Sequence, residues 1–134
     1  MGKEYFLKTK TIFLGAIAID SDALLYALWT VPNAIKISAI RLGVNTTNTK
    51  ADTNYNSLAV RNGAVDVANI ANGPNSAAGT TIAAGAFGSM TVVTAAGANE
   101  VAAGAVLTLK VTKTGNGLAY AGAILQIDYY DYNA

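Results

Sequence analysis

Residues 107–113 read Leu-Thr-Leu-Lys-Val-Thr-Lys, and strict alternation of apolar and polar side chains suits an extended strand, whose successive side chains point to opposite faces. Leu107, Leu109 and Val111 then share one face, and Thr108, Lys110 and Thr112 the other. Thr114-Gly115-Asn116-Gly117 follows, where Gly and Asn tolerate positive φ. Alternation resumes over 123–130, with Leu125, Ile127 and Tyr129 facing in and Gln126, Asp128 and Tyr130 facing out. The two segments predict an antiparallel hairpin that closes the domain.

The same reading predicts strands over 11–19, 24–30, 35–46, 56–61, 64–70 and 90–94, punctuated by Pro32-Asn33, Asn62-Gly63 and Asn72-Gly73-Pro74. Asn62-Gly63, set between two alternating runs, is a short-loop hairpin signal. Between Ile35 and Val44 the apolar phase changes near Ala39, which predicts a bulge or burial of both faces. Over 22–29 a helix capped by Asp22 and stopped at Val31-Pro32 competes with a strand, and strand is the reading adopted. The Ala- and Gly-rich stretch 71–105 carries Ile82, Phe87, Met90, Val92 and Val93 as recurring anchors, and reads as a long connection holding one or two short strands.

About eight short strands separated by turns predict an all-β fold: a single-domain antiparallel β-sandwich over 1–134, jelly-roll-like, with an immunoglobulin-like sandwich as the alternative. A chain of 134 residues buries enough apolar surface for one core without disulfides or metal.

The sequence contains no His and no Cys, which removes Ser-His-Asp and Cys-His catalysis within one chain, together with the usual zinc sites. No cofactor is expected. Charged residues make up 13% of the chain, against about 25% in ordinary soluble proteins, while 52% are hydrophobic. Such a surface is expected to be covered in part by partners. Net charge is +1, with nine Lys and Arg scattered along the chain, so nucleic acid is not an expected partner. Lys8 and Lys10 precede the apolar stretch 11–19 in the order of a secretory signal, but Asp20-Ser21-Asp22 interrupts it well short of the ~20 residues of a membrane helix. Neither a signal nor a membrane partner is expected.

The eight acids lie in no catalytic motif, so hydrolase chemistry is not the reading adopted. Asp52-Thr53-Asn54-Tyr55-Asn56 begins like a calcium loop, yet Ser57 replaces its turn glycine and Gly63 its bidentate acid, which leaves an Asp/Asn turn. Asn45-Thr46-Thr47 is a formal glycosylation sequon. Tyr129, Tyr130 and Tyr132, close to Asp128 and Asp131, make an aromatic and acidic end, fit either for stacking a sugar or for contact between subunits. With Phe6 and Phe13 they form the candidate interaction surface.

The run from Pro32 through Arg41 into Asp52-Thr53-Asn54-Tyr55-Asn56-Ser57-Leu58-Ala59-Val60-Arg61-Asn62-Gly63 resembles a segment of small β-sandwich proteins of tailed-bacteriophage particles, where a DTNY turn leads into a strand and a polar-glycine hairpin. Residues 102–115 are similar to the AAGDVL strand of those proteins, with Ala105 where an acid often stands, and 122–130 resemble their last strand. The likeness spans about the C-terminal three-quarters of the chain; its motifs are short and are shared with fibre and receptor-binding modules. It implies a capsid decoration or cement protein, usually a homotrimer, bound to the major capsid protein on the outside of the virion head. Residues 1–31 have no counterpart there and are expected to include an arm reaching a neighbour. The alternative function is a head-fibre or tail-fibre module that binds glycan.

Overall fold

A computed structural model describes residues 6–17, 24–47, 54–71, 81–116 and 120–132. Within them the alternating segments are strands: β1 (Lys8–Ile17), β2 (Leu24–Thr30), β3 (Ile35–Gly43), β4 (Tyr55–Asn62), β5 (Val65–Ala71), β6 (Phe87–Ser89), β7 (Thr91–Val92), β8 (Glu100–Val101), β9 (Val106–Thr114) and β10 (Tyr120–Asp131). One sheet, here the first, runs β1-β10-β3-β6, with β8 also on β3; the second runs β2-β9-β4-β5-β7. Every pairing among the described strands is antiparallel. The chain enters one sheet at each edge and returns to fill its middle later, so consecutive long strands mostly lie in opposite sheets. This is the connectivity of a jelly roll, and it rules out the immunoglobulin-like alternative.

The predicted closing hairpin does not form. β9 lies between β2 and β4, and β10 lies between β1 and β3 in the other sheet. Burial explains the difference. Leu107, Leu109 and Val111 on β9 and Ala123, Leu125 and Ile127 on β10 are all buried. Paired side by side in one sheet, those two faces would point the same way and need cover from elsewhere; in opposite sheets they supply cover to one core.

Other local signals hold. The Asn62-Gly63 hairpin is present, with Asn62 opposite Val65 and Gly63 at φ +61°, the positive value that the first central position of a type II′ loop requires. The phase change near Ala39 is a bulge: Asp128 pairs with Ala39, Tyr129 pairs with Ile37, and Ser38 is the extra residue. Ile35 and Ile37 before it, and Ile40 and Leu42 after it, therefore all reach the core. The helix that competed over 22–29 gives way to β2, because pairing with β9 satisfies its backbone and half-buries Leu28 and Trp29 against the core. Of the N-terminal segment, 8–17 and 24–30 are edge strands of the two sheets. The stretch after β5 contributes three short strands and a 3-10 turn, Ala95–Gly97. Its anchors Ile82 and Met90 are buried, whereas Phe87 is exposed.

Two polar clips fix the core. Tyr120, fully buried, donates its hydroxyl to the carbonyl of Asn56 across the sandwich (2.9 Å), and burial pushes its phenol well above the ordinary range. Buried Asn99 donates Nδ2 to the carbonyl of Ile37 (2.8 Å) and accepts the Ile37 N–H on its own carbonyl (2.9 Å). That pair continues the β3 edge past β8, next to the bulge, so two backbone groups of β3 are satisfied where a strand partner is missing.

Candidate functional site

The outer face of the first sheet carries three zones in succession, and the register explains each. β1, β10 and β3 are in contact along most of their length, so residues opposite one another share a face.

At one end lies the tyrosine zone. Tyr130 stands opposite Lys36, and the N–H of Tyr132 extends the pairing to the carbonyl of Ala34 (2.7 Å). Tyr130, Asp131, Tyr132 and Lys36 line a shallow groove of about 300 Å³ that is mostly apolar. The Lys36 ammonium lies 5.8 Å from the Tyr132 ring centroid and 4.0 Å from the Glu100 carboxylate. Lys8 pairs with Asp131 at the rim of this end, which holds the Lys8 ammonium above its usual range. Of the three tyrosines singled out from sequence, Tyr130 and Tyr132 are thus together. Tyr129 is not with them: the alternation turns it inward, where it sits half-buried 5.1 Å from the Trp29 ring, which in turn has Lys10 5.7 Å away. It packs β10 of the first sheet against β2, the edge strand of the second.

In the middle is a polar belt centred on Asp128. Arg41 donates two hydrogen bonds to its carboxylate (2.8 and 2.9 Å), and the Thr9 hydroxyl donates a third (2.7 Å). Ser38, the bulge residue, donates to the Asp128 carbonyl (3.3 Å). The Arg41 guanidinium first, and Thr9 after it, hold the Asp128 carboxyl below the usual carboxylate range against the opposing effect of burial. The sequence places Asp128 on the outer face, and it is there, yet these neighbours cover it. Since the folded carboxyl keeps its charge to lower pH than the unfolded one, the belt stabilises the fold fully above about pH 4. That stability is lost as the pH falls through the folded value. Asp128→Asn is expected to be less stable than the parent at pH 7 and to show a shallower loss between pH 5 and 2.5, read from urea midpoints; equal slopes would remove Asp128 from this role.

At the far end is an apolar zone. Phe13, Ile124, Gly43 and Phe87 fall in one register row across β1, β10, β3 and β6. Gly43 is required here, since a Cβ on it would stand 2.8 Å from the Phe87 ring, which lies against the bare backbone. Beside that ring a second groove of about 270 Å³ is lined by Gly43, Val44, Ala86, Phe87, Gly122 and Ile124, together with Asn45 and Gly85 at its margin. Phe13 is 79% exposed and Phe87 45% exposed. Phe6, 71% exposed, and Leu7, 54% exposed, lie at the opposite end, just before the first paired residue of β1.

Sequence reasoning placed Phe13, Tyr130 and Tyr132 on the outside and missed Phe87, Gly43 and Ile124. From sequence Phe87 reads only as one of the recurring anchors of the stretch 71–105. The signal that could have found it is that Gly85, Ala86 and Gly88 flank it, which leaves its ring no side-chain cover. The outer face of the second sheet differs: Ser57, Arg61, Asp66, Asn69, Lys110 and Thr112 surround Ala59 in a polar trough, with Arg61 Nε 2.8 Å from Asp66. The start of the calcium-like run, residues 52 and 53, lies outside the described residues, as do Asp20, Ser21 and Asp22. Asn45 of the sequon is exposed beside the apolar groove.

No family model, no curated protein and no solved structure matches this chain.

Proposed function

We propose that this chain is a structural protein of a phage particle that decorates the outer surface of the capsid, binding major capsid protein subunits as a homotrimer. The observation that carries this reading is the outer face of the first sheet, where an apolar tyrosine groove and an apolar phenylalanine zone flank a pinned polar belt. Large side chains at the surface of both ends of one sheet, half-buried at the tyrosine end and exposed at the phenylalanine end, are the makings of a contact surface rather than of a reaction centre. The low charge of the chain and its likeness to decoration proteins over 32–63, 102–115 and 122–130 support the same reading. Jelly rolls serve in viral capsids and in lectins alike, so the fold by itself decides between neither.

The tyrosine groove is the docking site for the shell. Tyr130 and Tyr132 present two rings to one face, and Lys36 is held over the second; aromatic anchors of this kind carry most of the energy of an interface. Capsid shells stripped of this chain are expected to bind the purified protein in a co-sedimentation assay and to resist heating better once bound. The double variant Tyr130→Ala, Tyr132→Ala is expected to bind at least about tenfold more weakly, as loss of one modest hot spot already costs that much. Unchanged binding by the variant, or none by the parent, would end this reading.

The same two rings also favour a second reading, glycan binding, since a pair of tyrosines on one face can stack a sugar. Under it the parent protein would bind host surface polysaccharide in isolation, and the double variant would not.

A further inference from the structure

The apolar groove at the phenylalanine end has a matching element on the same chain. Its walls are the Phe87 ring, Val44 and Ile124, its floor is Gly43 and Gly122, and its lining includes no charged residue. At the other end of the sheet Phe6 and Leu7 stand in water just outside β1. Groove and plug cannot meet within one molecule. From Phe6 to Phe13 the chain covers seven residues, and at about 3.3 Å per residue that is ~23 Å along a strand fixed at both ends to β10, by Lys8 opposite Tyr129 and Phe13 opposite Ile124.

We infer that Phe6 and Leu7 of one copy of this chain dock in the Gly43–Phe87–Ile124 groove of the next copy, head to tail. The occupant is a second copy rather than a different protein, because the chain itself offers an apolar plug and an uncharged apolar recess that its own geometry keeps apart. A contact between two different patches is heterologous, so each copy uses one plug and one groove, and the series either closes into a ring or grows into a filament. Closure at three rests on the trimer of the proposed function; the pairing of plug with groove does not.

The test uses two variants of the full chain, each altered at exposed positions: Phe6→Ala, Leu7→Ala, which lacks the plug, and Ala86→Arg, which fills the groove. In sedimentation velocity at tens of micromolar, the parent is expected at about three times its 13.7 kDa mass, and each variant alone at the single mass, with unchanged circular dichroism and melting. Mixed in equal amounts, the two are expected to form a heterodimer and nothing larger, because one intact groove and one intact plug remain per pair. A parent that stays monomeric overturns the inference, as does either variant alone keeping the parent's mass, or a mixture that remains monomeric. A symmetric contact such as β1 against β1 would leave the variants self-associated and is overturned or revealed by the same run. Co-sedimentation of each folded monomeric variant with capsid shells separates the two proposals: shell binding that survives at reduced strength leaves the docking role standing whatever the fate of the ring.

Discussion

Leu125→Ala is expected to lower folding stability by about 3–4 kcal/mol, the usual range for a leucine removed from a packed interior. Leu125 is fully buried in the middle of β10, opposite Ile12 on one side and Leu42 on the other. Across the sandwich the facing layer comes from β9 and β4, whose Leu109, Val111, Leu58 and Val60 are also buried. β10 is bonded on both sides, so the hole left by the substitution has little freedom to collapse. A domain of this size is held by about 5–15 kcal/mol, and the variant should unfold at markedly lower urea with an unchanged slope. A loss below about 1 kcal/mol would mean that the two sheets are not closely packed there.

Gly122→Val is expected to cost about 2–3 kcal/mol for a different reason. Gly122 has φ +58°, where a residue with a Cβ loses roughly 1–2 kcal/mol, and the added Cβ would lie 2.3 Å from Asn45 Nδ2. The contact half of the cost is separable. Asn45 is exposed, so Asn45→Ala in the Gly122→Val background should recover much of the part due to crowding, since only the Cβ at 3.0 Å remains, and leave the part due to backbone conformation. Full recovery would show that the left-handed backbone carries no cost, and would contradict the geometry of β10 at this point.

The strands and their inward faces were legible in the sequence because alternation is a local property. Leu107, Leu109, Val111, Leu125 and Ile127 each occupy the face that their spacing assigns. The bulge at Ser38 was legible for the same reason, since an extra residue leaves its mark as a shift of phase. Choice of sheet was not legible. Thr114-Gly115-Asn116 permits a tight return, and only the need of β9 and β10 to cover opposite sides of one core sends them into different sheets. Nothing near position 128 announces that Asp128 is covered, because Arg41 lies 87 residues away and Thr9 119 residues away.

The candidate surface was half legible. Alternation separates Tyr130 from Tyr129 correctly, and Tyr132 follows two residues on. Phe6 and Phe13, which belong to the candidate surface, are both exposed. What the sequence could not show is that Phe13 shares a row with Ile124, Gly43 and Phe87, drawn from strands β1, β10, β3 and β6. That row exists only once the jelly roll has formed. It turns four scattered residues into one end of a surface, and it sets the groove apart from the tyrosines.

In the proposed function the chain is a fixed part of a phage shell, held there by the outer face of its first sheet. Quantitative mass spectrometry of purified virus particles from cells that produce the chain tests this most directly. The account predicts the intact chain in constant proportion to the major capsid protein, retained through density-gradient purification and depleted from particles assembled with the Tyr130→Ala, Tyr132→Ala variant. Particles that lack the chain altogether, while the infected cell contains it in abundance, would contradict the account.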